Sequence, residues 1–344
     1  MTVHPIGTPH RVLLLGLEGV RSWHGHPHVS IVGIVDLYRQ AEQPFAERIR
    51  ELLALYPAYA SVEEGMIHAA PDVAVVTVPS AAKNTIWAEQ AVLEAGVDLA
   101  IAKLRLAKEQ DLDKLLGLQA CSRAVCYVGE NYRYDARVRT VKQALLQGMI
   151  GRAEFVAYEC YRPLTPSAWF DAYRHVTLED LALHHFSVIH DLVGLELTEL
   201  VARSEAPSWA QVRTKTMATV LASAKQGYKL RYTAEWGTRG RTTDYIGCLS
   251  IEGANGTIRL EGDRVTYYSP GGKGRELPLL AAASWIDRVL EAREGRTAAG
   301  PDEIASLTPT LAAFEPVIRT IYAAIAAATR GMGTGMEEMG GETG

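Results

Sequence analysis

The sequence predicts an α/β protein: a doubly wound parallel sheet in the first third, then an α+β domain with a large, mostly antiparallel open sheet. Three observations carry this. Short β-branched runs alternate with helical stretches from residue 11 to about 134, as βαβ units do. From about 198 to 277 the text is mostly strand, cut by turn signals such as Ala254-Asn255-Gly256 and Pro270-Gly271-Gly272. Amphipathic helices lie between and after these regions. At 344 residues the chain can bury two cores. The expected division is a nucleotide-binding-type domain over 1–134, an α+β substrate and oligomerisation domain over 135–330, and a disordered, Gly-rich tail over 331–344.

In order, RVLLLG and VSIVGIVD read as the first two strands, and QPFAERIRELLALY as a helix with Phe45, Ile49, Leu52 and Leu53 on one face. DVAVVTVP is almost wholly apolar, as a strand buried on both faces of a parallel sheet should be. AAKNTIWAEQAVLEAG is the next helix, closed by Gly96. VDLAIAK, EQDLDKLLGLQACSR and AVCYVGENYR continue as strand, helix and strand. DARVRTVKQALLQGMIGR is a helix stopped by Gly148 and Gly151, AEFVAYECYRP a strand, and TLEDLALHHFSVIHDLVG a helix. Six strand-like runs follow, and SWIDRVLEARE and TPTLAAFEPVIRTIYAAIAAATR close the fold as helices.

Composition excludes several classes. A net charge of −5 gives no reason to expect nucleic acid or an anionic membrane as partner. The four cysteines contain no CxxC pair and suit a reducing cytoplasm. No uninterrupted apolar run approaches the roughly 18 residues of a membrane span, and the N-terminus lacks a signal pattern. The expected partner is a small-molecule substrate and the expected location cytoplasmic.

The candidate chemistry falls in three places. Gly16-Leu17-Glu18-Gly19-Val20-Arg21 follows the first strand where G-x-G-x-x-G would make a tight turn and admit a pyrophosphate. Only Gly16 is in register; Gly19 is displaced, and Glu18 and Arg21 hold the other two slots. Asp36 ends the second strand where a ribose-binding acid belongs, favouring NAD over NADP. Gly16 to Asp36 spans 20 positions, so the intervening helix has room for about two turns. Gly16, Gly19, Asp36 and Pro79, at the end of DVAVVTVP, are the cofactor-binding candidates. The alternative is a fold that keeps these strand ends and binds no cofactor.

In LEDLALHHFSVIHD, Asp180 and His184 are i and i+4, on one helical face with Asp191. A carboxylate one turn from an imidazole can orient it as a general acid/base. His185 and His190 rotate off that face, so no metal site is expected. Lys103 ends an apolar strand at the carboxyl edge of the sheet, where open α/β sheets bind ligands. Asn131 and Arg133 share that edge, and the arginine can pair either with a substrate anion or with a neighbouring acid. Tyr161, Trp169, Phe170 and Tyr173 supply rings for a pocket wall or for packing. Tyr161 and Trp169 join Asn131 and Arg133 as substrate-binding candidates.

From the first strand to about residue 328 the chain resembles the Gfo/Idh/MocA family of NAD(P)-dependent oxidoreductases. The resemblance rests on the βαβ opening, VVTVPSAAKNTIWAEQAVLEAGVDLAIAK, NYRYDARVRTVKQALLQGMIGRAEFV, LEDLALHHFSVIHDLVG and GCLSIEGANGTIRLEG, in that order. It implies an N-terminal Rossmann domain, a nicotinamide cofactor, and a C-terminal sheet that forms homodimers or homotetramers. It also implies that Lys103 is the lysine of a Glu-Lys-Pro motif, and that Asp180 and His184 are an Asp-x-x-x-His pair acting on a sugar-like or polyol-like hydroxyl or carbonyl. The chain departs from the pattern at Ala102-Lys103-Leu104, where acid and proline are absent, and at Ser187, where the family often has aspartate. Three functions follow: NAD(H)-dependent oxidation or reduction by Lys103, Asp180 and His184; non-redox acid/base chemistry by the same trio; or ligand binding without catalysis.

Overall fold

The computed structural model describes residues 8–17, 20–37, 51, 54–77, 85–106, 108–165, 170, 172–295 and 310–330. The helix expected over 43–56 lies mostly outside these residues, as does the tail. In chain order the elements are β1 (His10–Leu15), α1 (Val20–Trp23), β2 (Val29–Val35), β3 (Ala58–Tyr59), α2 (Val62–Ala69), β4 (Val73–Val76), α3 (Trp87–Glu94), β5 (Asp98–Ile101), α4 (Glu109–Cys121) and β6 (Cys126–Val128). Next come α5 (Ala136–Leu146), β7 (Ala153–Arg162), α6 (Ala182–Val193), β8 (Leu197–Glu205), β9 (Met217–Ala224), β10 (Lys229–Trp236) and β11 (Cys248–Gly253). The chain ends with β12 (Gly256–Glu261), β13 (Arg264–Tyr268), β14 (Gly274–Glu276), α7 (Trp285–Arg293) and α8 (Leu311–Arg330).

Two compact units result: Met1–Glu130 with Ser284–Glu315, and Asn131–Ala283 with Pro316–Gly344. The stretch carrying α7 thus belongs to the first unit, whereas the sequence reading ran the second domain unbroken from 135 to 330. The later boundary falls inside α8 at Pro316, whose missing N–H interrupts helix hydrogen bonding.

The first unit is a six-stranded parallel sheet in the order β3-β2-β1-β4-β5-β6. The order reverses between β1 and β4, a topological switch point at whose carboxyl edge such sheets bind ligands. The central strands are buried on both faces: Val12, Leu13, Leu14 and Leu15 of β1, and Val73, Ala74 and Val75 of β4, have no exposed surface. Helix α2 was not anticipated, yet its signal is in the text. Ser61 caps it, its Oγ accepting from Glu64 N at 3.1 Å, and the Glu64 carboxylate accepts from Ala60 N at 2.8 Å. That is the Ser-x-x-Glu capping pattern. Strand β3, two residues long, was too short to read.

α1 is a single turn, shorter than the two turns the spacing allows. Such a helix cannot cover its share of the sheet, and α7 completes the cover. Ile286, Val289 and Leu290 join Val12, Leu14, Trp23, Val73 and Val75 in one core. The Trp285 ring meets Trp23 edge-on, 5.4 Å between centroids. Gly129, just after β6, makes room for it, since a Cβ there would lie 2.7 Å from the Trp285 ring. Polar contacts fasten the end of α7: Arg293 Nε donates to Asp98 at 2.8 Å, and His10 Nε2 meets Glu294 at 2.6 Å.

The second unit is an eight-stranded sheet in the order β14-β13-β12-β11-β7-β10-β9-β8. Only the β7–β10 pair is parallel; the other pairs are antiparallel. Alternation along the strands sends Val156, Tyr158 and Cys160 of β7, Val220 of β9, and Leu230, Tyr232 and Ala234 of β10 into the core. The opposite face carries Val201 and Leu221, 66% and 52% exposed. β14 is an edge strand the sequence reading did not include. In length and composition α8 is apolar enough to cross a membrane, a property that a search for uninterrupted apolar runs misses because Glu315 and Arg319 intervene. Its buried positions Phe314, Val317, Ile321, Ala324 and Ala328 form a helical stripe, the pattern of a core-packed helix.

Trp285→Ala should destabilise the chain by about 2–4 kcal/mol, read by urea unfolding, with the loss appearing in the transition of the first unit. A loss below about 0.5 kcal/mol would mean that α7 is not what covers this face.

Candidate functional site

In the first unit, Gly16 is buried at the end of β1 with φ 111°, a conformation that a Cβ would strain. Its N–H donates to Val35 O at 2.9 Å, which ties the end of β1 to β2. Asp36, the next residue on β2, is exposed. Gly19 and Pro79 lie outside the described residues. Lys103 follows β5 and is half-buried. Arg105 N–H donates to Lys103 O at 3.0 Å, closing a three-residue turn, and Leu104 is buried at 2% exposure. A buried leucine and a tight turn therefore fix the backbone where the family pattern has proline.

In the second unit, the helix that carries the histidines does not begin as an α-helix. Thr177–Leu181 form a π-helical turn and α6 follows. The wider turn departs from the regular i, i+4 stacking expected of Asp180 and His184. It leaves Asp180 buried, accepting a 2.6 Å hydrogen bond from Tyr173 Oη. Single π turns inside α-helices are frequent at functional sites.

His184 is half-buried, and the Tyr132 ring stacks on it with centroids 4.5 Å apart and planes 20° from parallel. His185 has the opposite fate. It is fully buried, with Nε2 2.9 Å from Tyr245 O and Nδ1 3.0 Å from Tyr232 Oη. A carbonyl only accepts, so Nε2 carries the proton and Nδ1 accepts from the tyrosine. Burial holds the Tyr232 phenol well above its ordinary pKa, so that donor persists. Both His185 nitrogens are committed to packing partners.

Asn131 and Arg133 were expected at a strand end. β6 instead stops at Val128, and Tyr132–Tyr134 form a 3-10 turn. Asn131 is exposed at the start of that turn. Arg133 takes the second of its two expected roles. Its guanidinium pairs with Asp191 of α6, and the two side chains are 4% and 3% exposed. Lys142 Nζ adds a 2.8 Å bond to the same carboxylate oxygen. This pair fastens the 3-10 turn to α6 and so presents Tyr132 to His184.

Tyr161 lies apart from these groups. β7 alternates, so Tyr158 and Cys160 face the core while Glu159 and Tyr161 face the other side of the sheet. There Arg241 sits 4.8 Å above the Tyr161 ring and pairs with Glu159 at 2.8 Å. Trp169 lies outside the described residues. Ser187, at the position of the family's aspartate, is fully buried, and its Oγ has no hydrogen-bond partner. Among the described residues no group of three His, Cys, Asp or Glu could hold a metal. The contributions that sequence reading had not assigned are those of Tyr132, Lys142 and the Tyr173 hydroxyl.

Replacing Asp191 with asparagine takes the acid from two cations, one of them buried, and should cost about 3–5 kcal/mol of stability, measured by denaturant titration. A cost under about 1 kcal/mol would place the pair among weak surface contacts.

Comparison with known proteins gives this arrangement its relatives. Residues 138–259 match the GFO/IDH/MocA C-terminal domain. An uncharacterized protein of Sinorhizobium fredii is 24% identical over 232 residues, 60% of this chain and 64% of that protein. An oxidoreductase from Agrobacterium radiobacter, solved with NAD+, L-tartaric acid and magnesium, superposes with TM-score 0.74 at 18% identity, over 94% of this chain and 97% of that one. The UDP-N-acetylglucosamine 3-dehydrogenase of Acidithiobacillus ferrooxidans gives TM-score 0.74 at 17% identity, over 94% and 99%. The WlbA dehydrogenase of Bordetella pertussis, solved with NADH and UDP-GlcNAcA, gives 0.72 at 18%, over 94% and 97%. At these identities the likeness is one of fold. Residues of the second unit thus match the GFO/IDH/MocA C-terminal domain, and the two-sheet fold is shared with these solved oxidoreductases.

Proposed function

We propose that the chain is a nicotinamide-dependent oxidoreductase acting on a hydroxyl or carbonyl of a small sugar-like or polyol-like metabolite. The observation that carries this reading is the contrast between two adjacent histidines. His185 is sealed in the core with both nitrogens bonded, while His184 is held half-exposed with its ring plane set by Tyr132. The first is taken up by packing, and the second keeps part of its surface exposed.

The residues at the switch point fit the adenosine end of a dinucleotide: Gly16 makes the turn with a left-handed backbone, and Asp36 offers a carboxylate at the exposed end of β2 for ribose hydroxyls. A bound nicotinamide would supply the acceptor for the substrate's hydride. His184 takes the proton from the reacting hydroxyl, and returns it in the reverse direction. Asp180, held by Tyr173, places a carboxyl group on the turn before His184. Lys103 is assigned through the family resemblance, as the group that stabilises charge on the reacting oxygen. The exposed face of the second sheet, with Val201 and Leu221, is the expected homo-oligomer surface, and the four free cysteines suit a cytoplasmic setting.

One observation favours a second reading. α1 is a single turn, and a pyrophosphate site draws on the amides at the start of a longer helix. Without that site the same acid/base groups would serve dehydration, isomerisation, cyclisation or hydrolysis.

Fluorescence titration of the purified protein with NADH and NADPH separates the two. Binding near ~10 μM, weakened at least tenfold by Asp36→Ala for NADH, is the expected result. No binding of either dinucleotide at ~1 mM overturns the redox reading. In the redox case His184→Ala should lower turnover roughly 100- to 10,000-fold while leaving the affinity for NADH unchanged. A variant with wild-type turnover would remove His184 from the chemistry.

A further inference from the structure

His175 is 2% exposed, and neither of its ring nitrogens has a hydrogen-bond partner. Buried polar atoms are nearly always satisfied, so an orphaned imidazole needs an explanation. His185, ten residues on and equally buried, has both nitrogens bonded, so this fold can satisfy a core histidine.

The surroundings of His175 are built from two segments laid side by side. Lys215 N–H donates to Arg174 O at 3.0 Å, Val176 N–H donates to Thr214 Oγ1 at 3.0 Å, and Thr177 Oγ1 donates to Thr216 O at 2.6 Å. The ladder brackets His175 between Arg174 and Lys215. Among the described residues neither cation enters an ion pair; Arg174 is the chain neighbour of His175, and the backbone bond from Lys215 to Arg174 holds the second cation's residue beside it. Burial first, then Arg174 and then Lys215, push the His175 pKa down, so the ring is neutral at pH 7 with one donor and one acceptor. The acid at this place, Glu179, is already engaged: one carboxylate oxygen accepts from the backbone N–H groups of Arg174, at 2.9 Å, and His175, at 2.6 Å. A second buried orphan, Thr216 Oγ1, lies beside Lys215 in the chain.

We propose that Arg174, His175 and Lys215 form an anion-binding subsite that takes the carboxylate or phosphoryl group of a small-molecule ligand. The imidazole N–H donates to an anion oxygen, and the two cations supply the charge that a neutral ring lacks. The subsite is carried by the second unit and does not depend on a nicotinamide, so it holds for the redox reading and for the non-redox one. It narrows the ligand to acidic metabolites, such as a sugar acid or a sugar phosphate.

The test uses the full chain, with gluconate, glucose 6-phosphate and inorganic phosphate as probes. Calorimetry gives the affinity, and long-range ¹H–¹⁵N correlation of the histidine rings reports on His175, assigned with His175→Gln. Saturable binding at ~1 mM or tighter, a shift of the His175 ring nitrogens, and at least a tenfold loss in Arg174→Gln/Lys215→Gln together support the subsite. Which probe binds more tightly identifies the anion as carboxylate or phosphoryl. Absence of saturable binding for all three overturns the proposal. So does binding that leaves His175 unmoved or survives the double substitution, and this readout is independent of dinucleotide binding.

Discussion

The ion pair between Arg133 and Asp191 is the contact on which the second unit's site depends. It is buried on both sides, and removing two charges from water costs so much that such pairs seldom add net stability over apolar packing. What the pair supplies is placement. Arg133 sits in the middle of the 3-10 turn through which the chain enters this unit, and Asp191 lies near the end of α6. Joining them fixes the turn against the helix, and Tyr132, one residue before Arg133, is held over His184. Lys142, on α5, adds a second cation to the same oxygen and brings a third element into register. The acid/base candidate is thus oriented by a charge network that reaches it through a neighbouring ring.

The first unit answers a different constraint. A parallel sheet must be covered on both faces, and the connection from β1 to β2 is too short to make a covering helix. The chain supplies the missing cover from far along the sequence: α7 brings Trp285, Ile286, Val289 and Leu290 onto the face where Trp23 stands. The glycine that admits Trp285, Gly129, belongs to the end of β6. Residues separated by more than a hundred positions are therefore one packing unit, and the chain cannot be divided at a single point.

This explains what was legible in the sequence. Strands β1, β4 and β5 announced themselves because burial on both faces leaves a continuous apolar run, and the strand-like runs between 198 and 277, cut by turn signals, announced the second sheet. Asp180, His184 and Asp191 were visible as one helical stripe. Other features were hidden for physical reasons. The π turn at Thr177–Leu181 has no compositional mark, so the relation between Asp180 and His184 was drawn on an α-helical lattice that begins only at Ala182. The partner of Arg133 depended on tertiary contact. Tyr161 belonged to the open face, and a strand read without its register offers no means of deciding which face that is. The cap of α2, in contrast, was written plainly as Ser61-Val62-Glu63-Glu64 and needed only the capping rule.

A residue informs about function to the extent that the fold does not already account for it. Gly16 is required by the backbone whatever binds nearby, because its φ of 111° ends β1 and delivers its N–H to Val35. Its presence therefore says little about a dinucleotide. Asp36, just past β2, is exposed. The same reasoning separates the histidines. His185 is explained by Tyr232 and the Tyr245 carbonyl; His175 is not explained by packing, because it is buried with both nitrogens unbonded. The candidate cofactor groups lie in β1, α1 and β2, and the candidate acid/base histidine and the orphan histidine lie in the second unit, under separate packing constraints. Erosion of the first set places no strain on the second, so acid/base chemistry can persist on this fold when the glycine fingerprint does not.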